Sequence, residues 1–211
     1  MNGTTNHVTS SWPVVIRDPI HEMIIFNDNP TDKLLFKLIN CRELQRLRRI
    51  KQLGLCEMVF PGANHSRFAH SIGVMHTARL FLDRIKDIGL ALTDDDKTVV
   101  LAAALLHDVG HGPFSHAFEK ITGDKHERRT EEIIKDDSTE VNKVLRGFDN
   151  DLPKHIALFF QEDPTGGSVT ATSILPCCVH IVSSQLDADR CDYLLRDSHA
   201  TGADYGKFDL R

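Results

Sequence analysis

The chain has 211 residues and a formal net charge of −5, from 25 Lys and Arg against 30 Asp and Glu. That balance argues against a general nucleic-acid coat, whose affinity comes from neutralising phosphates, and the length suits one large domain with a sizeable core. Five cysteines without a CxxC pair argue against a disulfide framework, and the longest apolar run, residues 99–106, is far too short to span a bilayer.

Residues 1–12 are polar, carry no secretory signal and are expected to be disordered, in a cytoplasmic or nuclear protein. Val14 to Ile20 and Met23 to Phe26 are β-rich runs about a polar turn and predict a small hairpin. Between residues 31 and 53, Leu34, Leu35, Leu38, Ile39, Leu44, Leu47 and Ile50 recur with a helical period that breaks near Asn40. Arg42, Arg46, Arg48, Arg49 and Lys51 make the same segment basic, as a solvated face or a phosphate-binding surface. Cys56 to Pro61 reads as short and extended, Gly62 to Asn64 as a turn, and residues 66–88 as a long helix. In that helix Gly73, Ala78 and Phe81 share a side with His70, so His70 is expected to be buried.

Thr93 followed by Asp94, Asp95 and Asp96 is an N-cap with an acidic first turn. It starts a helix that is apolar all round from Val99 to Leu106 and therefore belongs inside a core. The helix ends at His107-Asp108, and Gly110 just beyond suits the left-handed C′ position. A carboxylate buried at the negative end of a helix is doubly unfavourable, and a bound cation would relieve both penalties; the alternative is an ordinary helix end with a hydrogen-bonded His107 and a solvated Asp108. Residues 114–121, 126–134, 139–148 and 153–161 predict further helices, 164–168 a loop, and 174–198 a last long helix. On one continuous helix Val182, Leu186, Asp189, Tyr193 and Asp197 share a face, which turns Asp189 inward and Asp187 away. The class is mostly α, and three buried helices offer His70, His107, Asp108 and Asp189. Two imidazoles with two carboxylates suit one Mn²⁺, Fe²⁺, Mg²⁺ or catalytic Zn²⁺ ion better than a closed structural zinc site.

His70…His107-Asp108…Asp189 resembles the H…HD…D signature of the HD-domain phosphohydrolases. Residues 60–73, 107–116 and 186–197 are similar to segments of the deoxynucleoside triphosphate (dNTP) triphosphohydrolases of that family, and the similarity runs from Val14 to Arg211. The resemblance implies an HD-domain helical bundle over residues 13–211, a truncated or a minimal form relative to family members in which later residues complete the nucleotide pocket and the oligomer. It implies a reaction in which water attacks the α-phosphorus of a dNTP and releases deoxynucleoside and inorganic triphosphate.

Residue by residue, the resemblance makes His70, His107, Asp108 and Asp189 the ligands of one divalent ion. His111, His116 and His126 match active-site histidines, with Glu127 beside them, and His116 or His126 would protonate the leaving 5′-oxygen. Glu119 stands where the family has Asp. Arg67 and Arg190 match triphosphate contacts, while Gln52, Leu53, Tyr193 and Asp197 match residues that hold the deoxyribose. Gln45 and Arg48 match part of an activator site, which implies a homo-oligomer and a regulatory nucleotide. Asn40, Val14 and Arg17 depart from the guanine-contacting residues of that site. Two other functions fit the same residues: hydrolysis of a nucleoside monophosphate or phosphodiester, or a catalytically weak module that holds nucleotide or single-stranded nucleic acid on the segment Arg42 to Lys51.

Overall fold

The computed structural model describes residues 11–90, 92–160 and 176–210. Strand β1 (Val14–Asp18) pairs antiparallel with β2 (Glu22–Phe26), with Val14 opposite Phe26 and Asp18 opposite Glu22. Ile24 and Phe26 point into the core, as the period of two requires. The stretch expected to be disordered lies outside the described residues as far as Ser10, and Trp12 at its end packs edge-on against Phe36.

Helix α1 (Pro30–Ile39) has Pro at its start and Asn29 as N-cap, accepting from the Asp32 amide at 2.8 Å. It ends at Asn40, and α2 (Arg42–Gln45) runs on into a 3-10 turn, Arg46–Arg49. Residues 56–61 are not extended. Cys56–Met58 is a 3-10 turn, because the chain must reverse to bring the His65 carbonyl to the Gln52 amide at 3.0 Å and the Arg67 amide to the Ile50 carbonyl at 2.8 Å.

Helix α3 (Arg67–Asp87) is capped by Ser66, and α4 (Asp94–Leu106) opens with a reciprocal Thr93–Asp96 capping box. Every residue of α4 from Thr98 to Leu106 is buried, which explains the absence of a polar stripe. Helices α5 (His116–Thr122), α6 (His126–Lys135) and α7 (Glu140–Phe148) follow in the outer shell. Around α4 pack α1, α3, α8 (Leu152–Ala157) and α9 (Pro176–Val182). The expected loop at 164–168 lies outside the described residues. Among the described residues no helix is long and apolar enough to cross a membrane.

The last long helix is broken in two. After α9 the chain bends through residues 183–187 before α10 (Ala188–Thr201). Asp187 causes the break by accepting from the Ser184 amide and from the Arg190 amide, both at 2.8 Å, so its side chain competes with helix continuation. The face assigned to a continuous helix is therefore wrong on both counts: Asp187 is buried and Leu186 is 76% exposed.

Candidate active site

His70 lies in the first turn of α3, His107 and Asp108 follow the last turn of α4, and Asp189 lies in the first turn of α10. Packing of α3 against both α4 and α10 brings the four together. The Nε2 atoms of His70 and His107 are 3.3 Å apart, with ring planes at 78°. Asp189 Oδ1 is 2.9 Å from His70 Nε2 and 3.7 Å from His107 Nε2. Asp108 contributes Oδ1 at 3.4 Å from His107 Nε2 and Oδ2 at 3.7 Å from His70 Nε2. Both Nδ1 atoms are occupied elsewhere, His70 with Asp192 Oδ2 at 2.7 Å and His107 with the Ala104 carbonyl at 2.8 Å.

The chemistry of these donors, imidazole and carboxylate, suits a divalent ion. His70, His107 and Asp108 offer ligand atoms that all lie within 4.8 Å of one another and could hold such an ion, and Asp189 Oδ1 lies beside the two Nε2 atoms without belonging to that group. Ionisable groups here perturb one another strongly. Burial by itself would lower the His70 pKa, yet the carboxylates of Asp189 and Asp192 push it up to about 10. Burial likewise opposes ionisation of Asp108, but His107 and Arg67 hold it well below the usual carboxylate range.

A second group lies alongside. Glu119 Oε1 is 2.8 Å from His126 Nδ1 and 3.3 Å from His111 Nδ1, and Glu119 Oε2 is 3.3 Å from His116 Nδ1. By composition this group also offers a metal four donors. Its geometry does not, because an ion must lie near the plane of each imidazole that binds it. The His111 and His126 rings stack at 15° with centroids 3.8 Å apart, so their planes do not converge. Burial pushes the His111 pKa down to about 4, with Arg67 and His126 assisting against the pull of Asp108. The shared carboxylate and graded exposure suit proton handling: His111 is enclosed, His126 half-buried and His116 exposed.

The loop between the groups is held tightly. Gly110 is not left-handed; instead a Cβ there would lie 2.2 Å from the His126 carbonyl and 2.5 Å from the Thr130 amide. Thr130 Oγ1 accepts from the Gly110 amide at 2.9 Å and donates to the His107 carbonyl at 3.0 Å. Arg46, from the basic segment, clamps the Val109 and His111 carbonyls. Phe114 and Ser115 have φ of 62° and 54°, a strained conformation for residues other than glycine.

From Ser115 a chain of contacts leads away from the ion site. Arg67 bonds Asp108 and donates from Nε to Ser115 Oγ at 2.9 Å. Ser115 Oγ in turn reaches the Lys51 and Gln52 carbonyls at 3.0 and 3.2 Å. Gln52 is paired through its amide with the His65 carbonyl, and His65 Nε2 is 2.8 Å from Asp197 Oδ1. Two buried atoms on this path, Gln52 Oε1 and His65 Nδ1, have no hydrogen-bond partner among the described residues.

The other expected residues are less tightly gathered. Leu53 and Tyr193 are half-buried, Arg190 and Glu127 exposed, with Glu127 Oε2 3.4 Å from His126 Nδ1. Gln45 and Arg48 use their polar atoms on each other at 2.8 Å and on the Ile39 carbonyl, and the Arg48 guanidinium sits 3.6 Å over the Phe68 ring. Sequence reasoning reaches Arg46 only as part of a basic segment, and it misses His65, Ser115, Thr130 and Asp192 as functional residues. A single Ser, Thr or His carries no periodic signal, although the i, i+4 pair Asp192–Arg196 is visible in the sequence.

The HD-domain family profile matches residues 67–183. The chain is 45% identical over 200 residues to the uncharacterized protein YwfO of Bacillus subtilis, covering 93% of this chain and 42% of that protein. It is 36% identical over 205 residues to the deoxynucleoside triphosphate triphosphohydrolase SAMHD1 homolog of Dictyostelium discoideum, covering 94% of this chain and 38% of that one. A phosphohydrolase structure from Bacteroides thetaiotaomicron superposes with a TM-score of 0.75 at 33% identity, covering 93% of this chain and 45% of that chain. The chain therefore spans less than half the length of these relatives.

Proposed function

Because this chain belongs to the HD-domain family, we propose that it is a metal-dependent phosphohydrolase that cleaves dNTPs to deoxynucleoside and inorganic triphosphate. The observation that carries this choice of substrate is the path from Asp108 through Arg67, Ser115, Gln52 and His65 to Asp197. It includes two buried acceptors without partners among the described residues. A sugar hydroxyl is the donor that would complete them, since leaving such groups unpaired is costly. The similarity to a deoxynucleoside triphosphate triphosphohydrolase supports the same substrate.

In this proposal His70, His107, Asp108 and Asp189 would hold one divalent ion, which would supply Lewis-acid activation of the α-phosphate and of the attacking water. Arg67 and Arg190 neutralise the triphosphate. Glu119 binds His126 and His116 through Nδ1, which leaves Nε2 of either ring to deliver a proton to the departing 5′-oxygen. Tyr193 lies against the sugar and excludes a 2′-hydroxyl, while Gln52, Leu53 and Asp197 line the remaining sugar face. Residues 13–211 act as one catalytic unit, assembled as a homo-oligomer. Light scattering that shows only a monomer, with and without nucleotide, would remove the assembly from the proposal.

The substrate is tested by incubating ion-loaded protein with dATP, ATP and dAMP and separating the products. Deoxyadenosine and triphosphate should form, with dATP cleaved about tenfold or more faster than ATP. Equal cleavage of dATP and ATP, or cleavage of dAMP alone, would overturn the assignment.

A further inference from the structure

Asp192 lies between the ion site and the N-terminal hairpin, and the chemistry above does not use it. It is fully buried. Its Oδ2 is 2.7 Å from His70 Nδ1 and accepts from Arg196 Nε at 2.8 Å. Its Oδ1 accepts from Arg196 Nη2 at 2.8 Å and lies 2.6 Å from His21 Nε2. Arg196 is gripped in turn by Asp18 at 2.9 and 3.2 Å, and Asp18 Oδ1 accepts the Ile20 and His21 amides of the hairpin turn.

The two histidines of the ion site differ in how their rings are held. His107 follows the C-terminal end of α4, where helix carbonyls lack partners, and its Nδ1 takes the Ala104 carbonyl. His70 lies at the N-terminal end of α3, where a helix offers only surplus amides. An acceptor for its Nδ1 must come from another element. Room for it is cut into α3 itself: a Cβ on Gly73, one turn beyond His70, would lie 1.9 Å from Asp192 Oδ1 and 2.4 Å from Arg196 Nη2.

We propose that Asp192, clamped by Arg196 and by His21 of the hairpin turn, is a positioning residue that fixes the His70 ring with Nδ1 protonated and Nε2 turned into the ion site. The proposal rests on the assignment of His70 as an ion ligand. A carboxylate on the far nitrogen sets ring orientation and strengthens the ligand, and its loss typically costs about 10- to 100-fold in ion affinity. The hairpin thereby becomes part of the ion site, although it supplies none of the proposed ligands.

The test uses the full chain loaded with zinc, with affinity measured by competition with a chromophoric chelator and His70 followed by proton–nitrogen NMR. Asp192→Asn should weaken zinc binding about 10- to 100-fold and shift or abolish the downfield His70 Nδ1–H signal. Gly73→Ala, which displaces the carboxylate without removing it, should do the same. His21→Leu should weaken binding and His21→Gln, whose amide can still donate to Asp192, should restore it. This pair decides the matter should Asp192→Asn fail to fold. Native zinc affinity and an unshifted Nδ1–H in folded Asp192→Asn would overturn the proposal alone. A native chain that takes up no zinc would overturn the ligand assignment, and the proposal with it.

Discussion

His70 and His107 on one side of Asp108, and His111 and His126 on the other, are pairs of the same residue with different geometry. The first pair meets nearly at right angles, with each Nδ1 fixed by its own acceptor and the Nε2 atoms 3.3 Å apart. The second pair stacks at 15°, with both Nδ1 atoms turned to the one carboxylate of Glu119. Acceptors behind the ring thus decide what the front of the ring can do. Separate acceptors turn the first two rings so that their Nε2 atoms approach each other, whereas in the stacked pair Glu119 hydrogen-bonds His126 and only approaches His111.

The contrast is tested most directly at His107. His107→Ala should abolish ion binding and hydrolysis together, whereas Glu119→Gln should leave the bound ion in place. Elemental analysis beside the rate assay checks both, and a Glu119→Gln protein that loses its ion would show that the second group also holds it. On the proton-handling side, His126→Ala or Glu119→Gln should lower kcat by about 10²- to 10⁴-fold. Steady-state kinetics at saturating ion measures this, and an unchanged kcat in both would leave His116 as the acting acid.

Tyr193→Ala should act differently, changing selectivity while sparing both groups. The preference for dATP over ATP should narrow by about 1–3 kcal/mol, roughly 5- to 150-fold. Ratios of kcat/KM for the two nucleotides provide the measurement. The smallest effect is expected outside both groups, at His76. Burial, with His21 and Arg79 nearby, pushes its pKa down to about 4. The unfolded chain, with a histidine pKa near 6.5, therefore binds more protons between those values, so this contribution to stability is present above about pH 6.5 and is lost as the pH falls towards 4. His76→Gln should flatten that part of the curve of melting temperature against pH.

Helix α4 is legible in the sequence because its signals are local: the Thr93 cap, the acidic first turn and an unbroken apolar run. His70 is legible as a buried residue for the same reason. Asp189 is reached from the sequence by an inexact route. It meets His70 because α10 begins beside α3, while the continuous helix expected to point it inward is broken by Asp187. Gly110 stands out for its place after the helix, yet what requires it is the His126 carbonyl from α6.

Residue types, caps and periodicity therefore suffice to identify a mostly helical protein with a buried His70 and with His107-Asp108 at the end of a buried helix, while Asp189 joins them only through the resemblance to the HD-domain family and the packing of α10 on α3. Caps and periods act over a few residues, so a chain read in order contains them. Packing in three dimensions is what stacks His111 and His126 on Glu119, sets Arg46 on the His107–His111 loop, and stands His21 and Asp192 behind His70. The contacts of Arg46 with His111, of His70 with Asp192 and of His21 with Asp192 join residues 65, 122 and 171 positions apart. The stacked pair depends on the angle between two rings. Neither distance through space nor ring orientation is encoded in any local pattern; both arise when α3, α4 and α10 bury their apolar faces together.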